Sequence, residues 1–310
     1  MFPAPVQTDP VTAEQLRASV IAVPPLARTG NLAISPSENH RIASHIEAGG
    51  VRTLLYGGNA NIYHIQPGEY SELLEVIAEV AGTDTLVIPA VGPAYGTMMS
   101  QAPLLGESRF PTAMVLPMQG LTTSAGVVEG LTHFARALGR PIVVYIKNVD
   151  YLDPEDAARL VDAGLVSWIK YAIVEEDPAH DDYLARLVKL VDPSIIVSGI
   201  GEQPALVHRQ LFRLAGFTAG CVCVNPALSQ AMLDALNSGD IKRAESMQTL
   251  FRPLEDLRNK INPVRVLHEA VELAGIAETG PQLPLLSALT EDERDTVGQA
   301  ARELLELSVP

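Results

Sequence analysis

Eight short β-branched runs recur along this chain at intervals of about 25 to 35 residues, the alternation that most narrows what it can fold into. They lie at 19–24, 52–56, 85–91, 112–116, 141–145, 166–171, 194–198 and 220–224, each followed by a polar or glycine-rich loop and then a helical pattern. Several runs are apolar throughout, as strands of a parallel sheet covered on both faces are. The helical patterns between them include 67–81, after a Pro-Gly start, and 153–163, with Asp153 as N-cap ahead of Pro154. Eight β/α units in about 230 residues predict a closed (β/α)8 TIM barrel over 1–226, with an open doubly wound sheet as the alternative. Only helical patterns follow, at 228–237, 240–259, 263–274 and 291–307. No Ser/Gly linker sets them apart, so 227–310 is expected to be a C-terminal helical region packed on the barrel.

In such a barrel, functional groups gather where strands end and the following loops begin. Lys170 stands at such a place. It is one of five lysines, in the run Val166-Ser-Trp-Ile-Lys-Tyr-Ala172. An ammonium at an apolar strand end is costly to desolvate, so its pKa falls and the free amine becomes a nucleophile suited to imine chemistry. The second run ends in Tyr56-Gly57-Gly58-Asn59-Ala60-Asn61 and the fifth in Tyr145-Ile-Lys147-Asn148, and both would open on the same mouth. Dehydration of a carbinolamine needs a proton shuttle, which a tyrosine hydroxyl on the adjacent strand supplies, and Tyr145 is placed for it. A glycine-rich turn at Gly58, Asn59 and Ala60 exposes backbone N–H donors to a substrate carboxylate. Singly, each has a plainer reading: a snorkelling lysine, a core tyrosine, a turn. Their joint placement points to an enzyme.

A formal charge of −15 argues against nucleic-acid and anionic-membrane partners, which would need clustered Lys and Arg. The N-terminal Met-Phe-Pro-Ala-Pro-Val-Gln carries no basic stretch before an apolar one, and no apolar run reaches about 18 residues, so a cytoplasmic location is expected. Cys221 and Cys223, two apart in a run read as a strand, should face one way as buried free thiols, with no metal pattern beside them. His268-Glu269-Ala-Val-Glu272 lacks the second histidine of a zinc helix, and Gly199-Ile-Gly201 lacks the third glycine of a dinucleotide fingerprint, so neither a metal nor a cofactor is expected. The acidic stretch 175–182 reads first as a solvated helix start. Tyr63 and His64 lie close enough to the mouth to be binding or lid residues.

In order and spacing the chain resembles the dihydrodipicolinate synthase and N-acetylneuraminate lyase superfamily, from about 17 to 305. The resemblance rests on Gly49-Gly50-Val-Arg-Thr-Leu-Leu-Tyr-Gly57-Gly58, Pro141-Ile-Val-Val-Tyr145, Lys170, Ser198-Gly199, Gly220-Cys-Val222-Cys-Val224, Gly239-Asp240, and Gly280-Pro281 with Pro284-Leu285. It implies a Schiff-base lyase of the class I aldolase type acting on a pyruvate-like 2-oxo acid, by aldol cleavage, condensation or dehydration. It also implies Lys170 as the imine lysine, Tyr145 as the catalytic tyrosine, 58–61 as the carboxylate loop, and Val222 with its backbone near the imine. A homo-oligomer, dimer or tetramer, is implied too, although the loop 117–121 lacks the tyrosine that many relatives lend to a neighbouring subunit. The family's Thr-Thr-Gly-Glu turn is replaced by Asn59-Ala60-Asn61-Ile62, which removes a hydroxyl relay, and the synthase's substrate-carboxylate arginine after the tyrosine strand is absent. Tyr145-Ile-Lys147-Asn148-Val149, with Leu257-Arg258-Asn259-Lys260, resembles instead the 5-dehydro-4-deoxyglucarate dehydratase branch. A sugar-acid dehydratase and a metabolite-binding barrel without turnover are therefore the alternatives.

Overall fold

The computed structural model describes residues 8–310, so the N-terminal heptapeptide read above lies outside the described residues. In chain order the barrel comprises α1 (Ala13–Ala18), β1 (Ile21–Ala22), α2 (Pro36–Ala48), β2 (Thr53–Tyr56), α3 (Tyr70–Glu79), β3 (Leu86–Val91), α4 (Tyr95–Glu107) and β4 (Met114–Val115). It continues with α5 (Ser124–Leu138), β5 (Ile142–Ile146), α6 (Pro154–Asp162), β6 (Val166–Tyr171), α7 (Asp182–Leu190), β7 (Ile196–Ser198), α8 (Glu202–Phe212) and β8 (Thr218–Ala219). The strands are all parallel in the order β7-β6-β5-β4-β3-β2-β1-β8. A parallel bridge from Ser198 to Phe217 closes the ring, with Ser198 N–H donating to Gly216 O at 3.0 Å and Ala215 N–H to Ile196 O at 2.8 Å. The fold is a (β/α)8 barrel, as the alternation of runs predicts, and the open-sheet alternative is excluded by that closure.

Buried on both faces, the strands are apolar in nearly every position: β2 and β4 are buried throughout, and β3 and β5 each have a single partly exposed residue. Alternation along β6 puts Trp168 and Lys170 on one side and Ile169 and Tyr171 on the other. Trp168 has no exposed surface and lies one step below Lys170, giving the lysine an apolar floor. On the other side Tyr171 donates to Asp181 Oδ2 at 2.5 Å, and its ring stacks on Tyr183.

Three elements depart from the sequence reading. The eighth run is a strand only over Thr218–Ala219, and Cys221–Cys223 is a 3-10 turn. Gly220 (φ −98°, ψ −39°) bends the chain there, and a Cβ on it would stand 2.1 Å from Leu267 Cδ1. Cys221 and Cys223 are therefore buried and free as expected, but not by sharing a sheet face. The predicted helix 67–81 begins as a 3-10 turn at Pro67–Glu69 before α3. Asp153 sits at the N-cap of α6 without a side-chain capping bond; its N–H donates instead to Ser124 Oγ at 2.9 Å.

Beyond the barrel run α9 (Pro226–Ser238), α10 (Ile241–Lys260), α11 (Pro263–Leu273) and α12 (Glu291–Glu306). Asn225 caps α9 by accepting from Leu228 N at 3.0 Å, and its amide donates to Leu304 O and Leu307 O at 2.8 and 2.9 Å, which fastens α12. Helix α10 packs against α8 and α9, and this brings its C-terminal turn to the barrel mouth. Among the described residues no helix is long and apolar enough to cross a membrane.

Candidate active site

A cavity of about 580 Å³ opens at the C-terminal ends of the strands, lined among others by Gly58, Asn59, Tyr63, Tyr145, Lys147, Lys170 and Arg258. Tyr145 and Lys170 are direct register partners across β5 and β6, so main-chain pairing fixes their separation. Lys170 Nζ lies 4.7 Å from the centroid of the Tyr145 ring. Lys170 is 5% exposed. Burial, and after it the positive charges of Lys147 and Arg258, bring its pKa from 10.5 down to about 7. Lys147 is itself exposed and screened by solvent, so burial dominates. Among the described residues no carboxylate pairs with the amine. The result is an amine partly free of its proton near neutrality, which is what attack on a carbonyl requires.

Burial raises the Tyr145 phenol to about 12, with the Arg258 charge working against that rise. Tyr145 therefore stays protonated at neutral pH and can hand its proton to a developing hydroxide. Tyr63 stands beside Tyr145 and Tyr151, and burial, then those two phenols, push its own pKa upward.

The structure brings Gly58 and Asn59 to the cavity and directs Ala60 and Asn61 elsewhere. Ala60 is buried, and Asn61 turns into the left-handed region (φ +57°) with its amide donating to Leu283 O at 3.4 Å. The Asn59 amide donates to Val23 O at 3.0 Å, whereas the Gly58 and Asn59 N–H groups enter no backbone hydrogen bond among the described residues. Val222 is fully buried in the 3-10 turn, and Ala219 and Gly220 line the cavity in its place. Tyr63 lines it; His64 does not.

Arg258 and Gly201 line the cavity although the strand-end rule does not single them out. Arg258 reaches the cavity from α10, and its Nη2 donates to Ile200 O at 2.6 Å. Gly199 and Gly201, which resembled half a nucleotide fingerprint, serve as clearance. A Cβ on Gly199 would stand 2.9 Å from Lys170 Cγ, and one on Gly201 2.1 Å from Glu255 Oε1. The hints in the sequence are the close pairing of two glycines after a strand and the Leu257-Arg258-Asn259-Lys260 run.

Below Arg258, the fold collects Glu202, Cys221 and Glu255, whose ligand-type atoms lie within 4.8 Å of one another, beside a cysteine that looked isolated in the sequence. Both carboxyls are fully buried, and burial raises both pKa values, which favours a carboxyl–carboxylate pair sharing a proton. Burial also holds the Cys221 thiol protonated. Such a group could hold a divalent cation if it lost its protons, but the Arg258 guanidinium 3.9 Å from Glu255 already supplies positive charge there.

The acidic stretch after β6 is a helix start: Asp181 caps α7 by accepting from Leu184 N at 2.8 Å, and Asp177 holds His180 Nδ1 at 2.6 Å. His268 and Glu269 tie down the tail, bonding Gly280 O at 2.8 Å and Leu289 N at 2.7 Å. A second cavity of about 670 Å³ lies outside the ring against α4 and α5, lined by Tyr95, Met98, Leu121, Val127 and His133, and holds no lysine or arginine.

Comparison with known proteins gives a match to the family model for the dihydrodipicolinate synthetase family over residues 16–304. A 4-hydroxy-tetrahydrodipicolinate synthase of Methanopyrus kandleri is 26% identical over 270 residues, 84% of this chain and 86% of the relative. Another, from Corynebacterium aurimucosum, is 24% identical over 289 residues, 89% of this chain and 90% of the relative. Among solved structures, dihydrodipicolinate synthase from Bacillus clausii superposes with a TM-score of 0.82 at 22% identity, over 94% of this chain and 98% of the other. A prophage protein of the dihydrodipicolinic acid synthase family from E. coli K12, solved in complex with pyruvate, gives 0.80 at 16% identity, over 92% and 98%.

Proposed function

We propose that this chain, which belongs to the dihydrodipicolinate synthetase family, is a Schiff-base-forming lyase acting on a pyruvate-like 2-oxo acid. The observation that carries the reading is the buried amine of Lys170, brought to about 7 and paired in register with Tyr145. The neutral amine adds to the keto carbon, and Tyr145 donates the proton with which water leaves the carbinolamine. The protonated imine then draws electrons from an adjacent bond, so a C–C bond breaks or forms, or a hydroxyl departs. Gly58 and Asn59 N–H groups seat the carboxylate, with Ala60 and Asn61 shaping the turn behind them and Val222 supporting the eighth strand end. Tyr63 is the hydroxyl beside Tyr145 that continues the proton path where Ala60 carries none. No cofactor or metal enters these steps. A reducing cytoplasmic setting, supported by two free buried thiols, and a homo-oligomeric assembly, dimer or tetramer, belong to the same reading.

The test is borohydride reduction with pyruvate and a panel of 2-keto-3-deoxy acids, followed by peptide mass mapping. The expected result is the ligand's reduced mass on Lys170, lost in Lys170→Ala and slowed about 100- to 1,000-fold in Tyr145→Phe. An unmodified Lys170 across the panel refutes the reading. Dehydration is the alternative that the resemblance of Tyr145-Ile-Lys147-Asn148-Val149 and Leu257-Arg258-Asn259-Lys260 to the sugar-acid dehydratase branch supports. The missing hydroxyl at Ala60 favours the second reading, a metabolite-binding barrel. Tight binding with no product, unaffected by Tyr145→Phe, would decide for it.

A further inference from the structure

Three helices meet beneath the cavity mouth on a pair of carboxyls that the imine chemistry does not touch. Glu202 opens α8 and Glu255 lies on α10, and neither has any exposed surface. Glu255 Oε1 accepts the Glu202 N–H at 2.9 Å, and Glu202 Oε1 accepts from Ser229 Oγ of α9 at 2.8 Å. The second oxygen of each accepts no hydrogen bond from any other group. One oxygen of each lies within 4.8 Å of the other and of Cys221 Sγ. Burial at that spacing disfavours two negative charges, and one proton between the second oxygens satisfies both. Burial also keeps the Cys221 and Cys223 thiols protonated, so they add no charge. Among the described residues the cation bearing on the pair is Arg258, whose Nη1 lies 3.9 Å from Glu255 Oε1. One positive charge is thus set against one negative charge.

Arg258 in turn stands next to the amine. It lines the cavity with Lys170, and the tripeptide 199–201 touches both of them. A Cβ on Gly199 would stand 2.9 Å from Lys170 Cγ, and one on Gly201 2.9 Å from Arg258 Nη1. Between those glycines, Ile200 O accepts from Arg258 Nη2 at 2.6 Å. The charges that bear on Lys170 are those of Lys147 and Arg258, since Tyr145 beside it is a neutral phenol. A guanidinium so near a buried amine opposes its protonation, and a negative charge behind the guanidinium weakens that opposition. What Lys170 experiences therefore depends on the carboxyl pair as well as on the arginine.

We propose that Glu202 and Glu255 act together as one buried counter-charge to Arg258, holding a single proton between them, and that through the arginine they govern the charge state of Lys170. The inference rests on the imine reading for its chemical consequence and adds two positioning residues to it. Either carboxyl can carry the charge when the other is replaced by an amide, because the amide N–H then donates to the remaining carboxylate.

The test compares Glu202→Gln, Glu255→Gln and the double variant by two measurements. The first is the infrared C=O stretch of a protonated carboxyl at neutral pH, which the unaltered protein shows and both single variants lose. The second is the acid limb of the pH profile for borohydride trapping of pyruvate on Lys170. That limb stays in place in either single variant and moves to lower pH by about half a unit or more in the double variant, where Arg258 is left uncompensated. A purely structural role would lower trapping or stability without moving the limb. If the double variant does not fold, Arg258→Gln replaces it, and loss of the nearer cation moves the limb to higher pH. A carboxyl band that survives in one single variant, or a limb that shifts as far in a single variant as in the double, overturns the shared charge. A limb unmoved in the double variant, or in Arg258→Gln, overturns the link to Lys170. If no acid is trapped, the imine reading falls. The pH dependence of the stability difference between each protein and its Lys170→Met counterpart then reports the same amine without any chemistry, and the same shifts decide for or against the pair.

Discussion

Replacing Lys170 by methionine should stabilise this protein, and by an amount that depends on pH. The lysine's ordinary pKa of 10.5 applies to the unfolded chain, whereas in the fold burial and two neighbouring cations hold it at about 7. The full difference corresponds to about 5 kcal/mol against the protonated form. Between these two values the unfolded chain binds more protons than the folded one, so folding becomes more favourable as pH rises through that window. Below about pH 7 nearly the whole cost is borne; above about pH 10.5 none is. Worked through, the lysine costs about 5 kcal/mol at pH 6, about 3 at pH 8 and about 1 at pH 10. Methionine has similar length and no charge, and its packing adds a contribution that does not vary with pH. Denaturant unfolding of both proteins at these three pH values measures the difference directly, and every other titrating group cancels. The advantage of Lys170→Met should shrink by about 4 kcal/mol from pH 6 to pH 10. A difference that stays flat across that range would refute the claim that the amine is desolvated in the folded state.

Lys147→Met removes a positive charge facing Lys170, so the acid limb of the pH profile for imine trapping should move to higher pH, read from trapping rates between pH 5 and 9. Gly201→Ala should cost about 2–4 kcal/mol of stability by denaturant midpoint, because the added Cβ meets Glu255 Oε1 at 2.1 Å in a backbone region suited to glycine.

The place of Lys170 and Tyr145 at the cavity is legible in the sequence because each ends a β-branched run, and a parallel barrel sends all such ends to one mouth. The same rule located Gly58 and Asn59. It failed one step later, since Ala60 and Asn61 lie in a turn whose direction is set by a positive φ at Asn61 and by contact with Leu283, both invisible to local patterning. The eighth strand was placed too late because Gly220 bends the backbone where the β-branched composition continues to read as strand. Arg258 went unassigned for a different reason. Its run follows ordinary helix periodicity, and only the packing of α10 on α8 takes it to the cavity. Gly199 and Gly201 resembled part of a phosphate loop, yet their missing side chains make room for Lys170, Glu255 and Arg258.

The delivery of Arg258 by α10 separates two properties that most sites entangle. The backbone positions of Tyr145 and Lys170 are held by the pairing of β5 and β6, a relation among main-chain atoms that few side-chain changes can disturb. The guanidinium rides on a helix outside that ring, anchored through Asn259 and the loop after β7. Changes along the last turn of α10 therefore reshape one wall of the cavity while the Tyr145–Lys170 register stays as it is. The strands and the helix are two independent handles on the same cavity, one set by main-chain pairing and the other by side-chain packing.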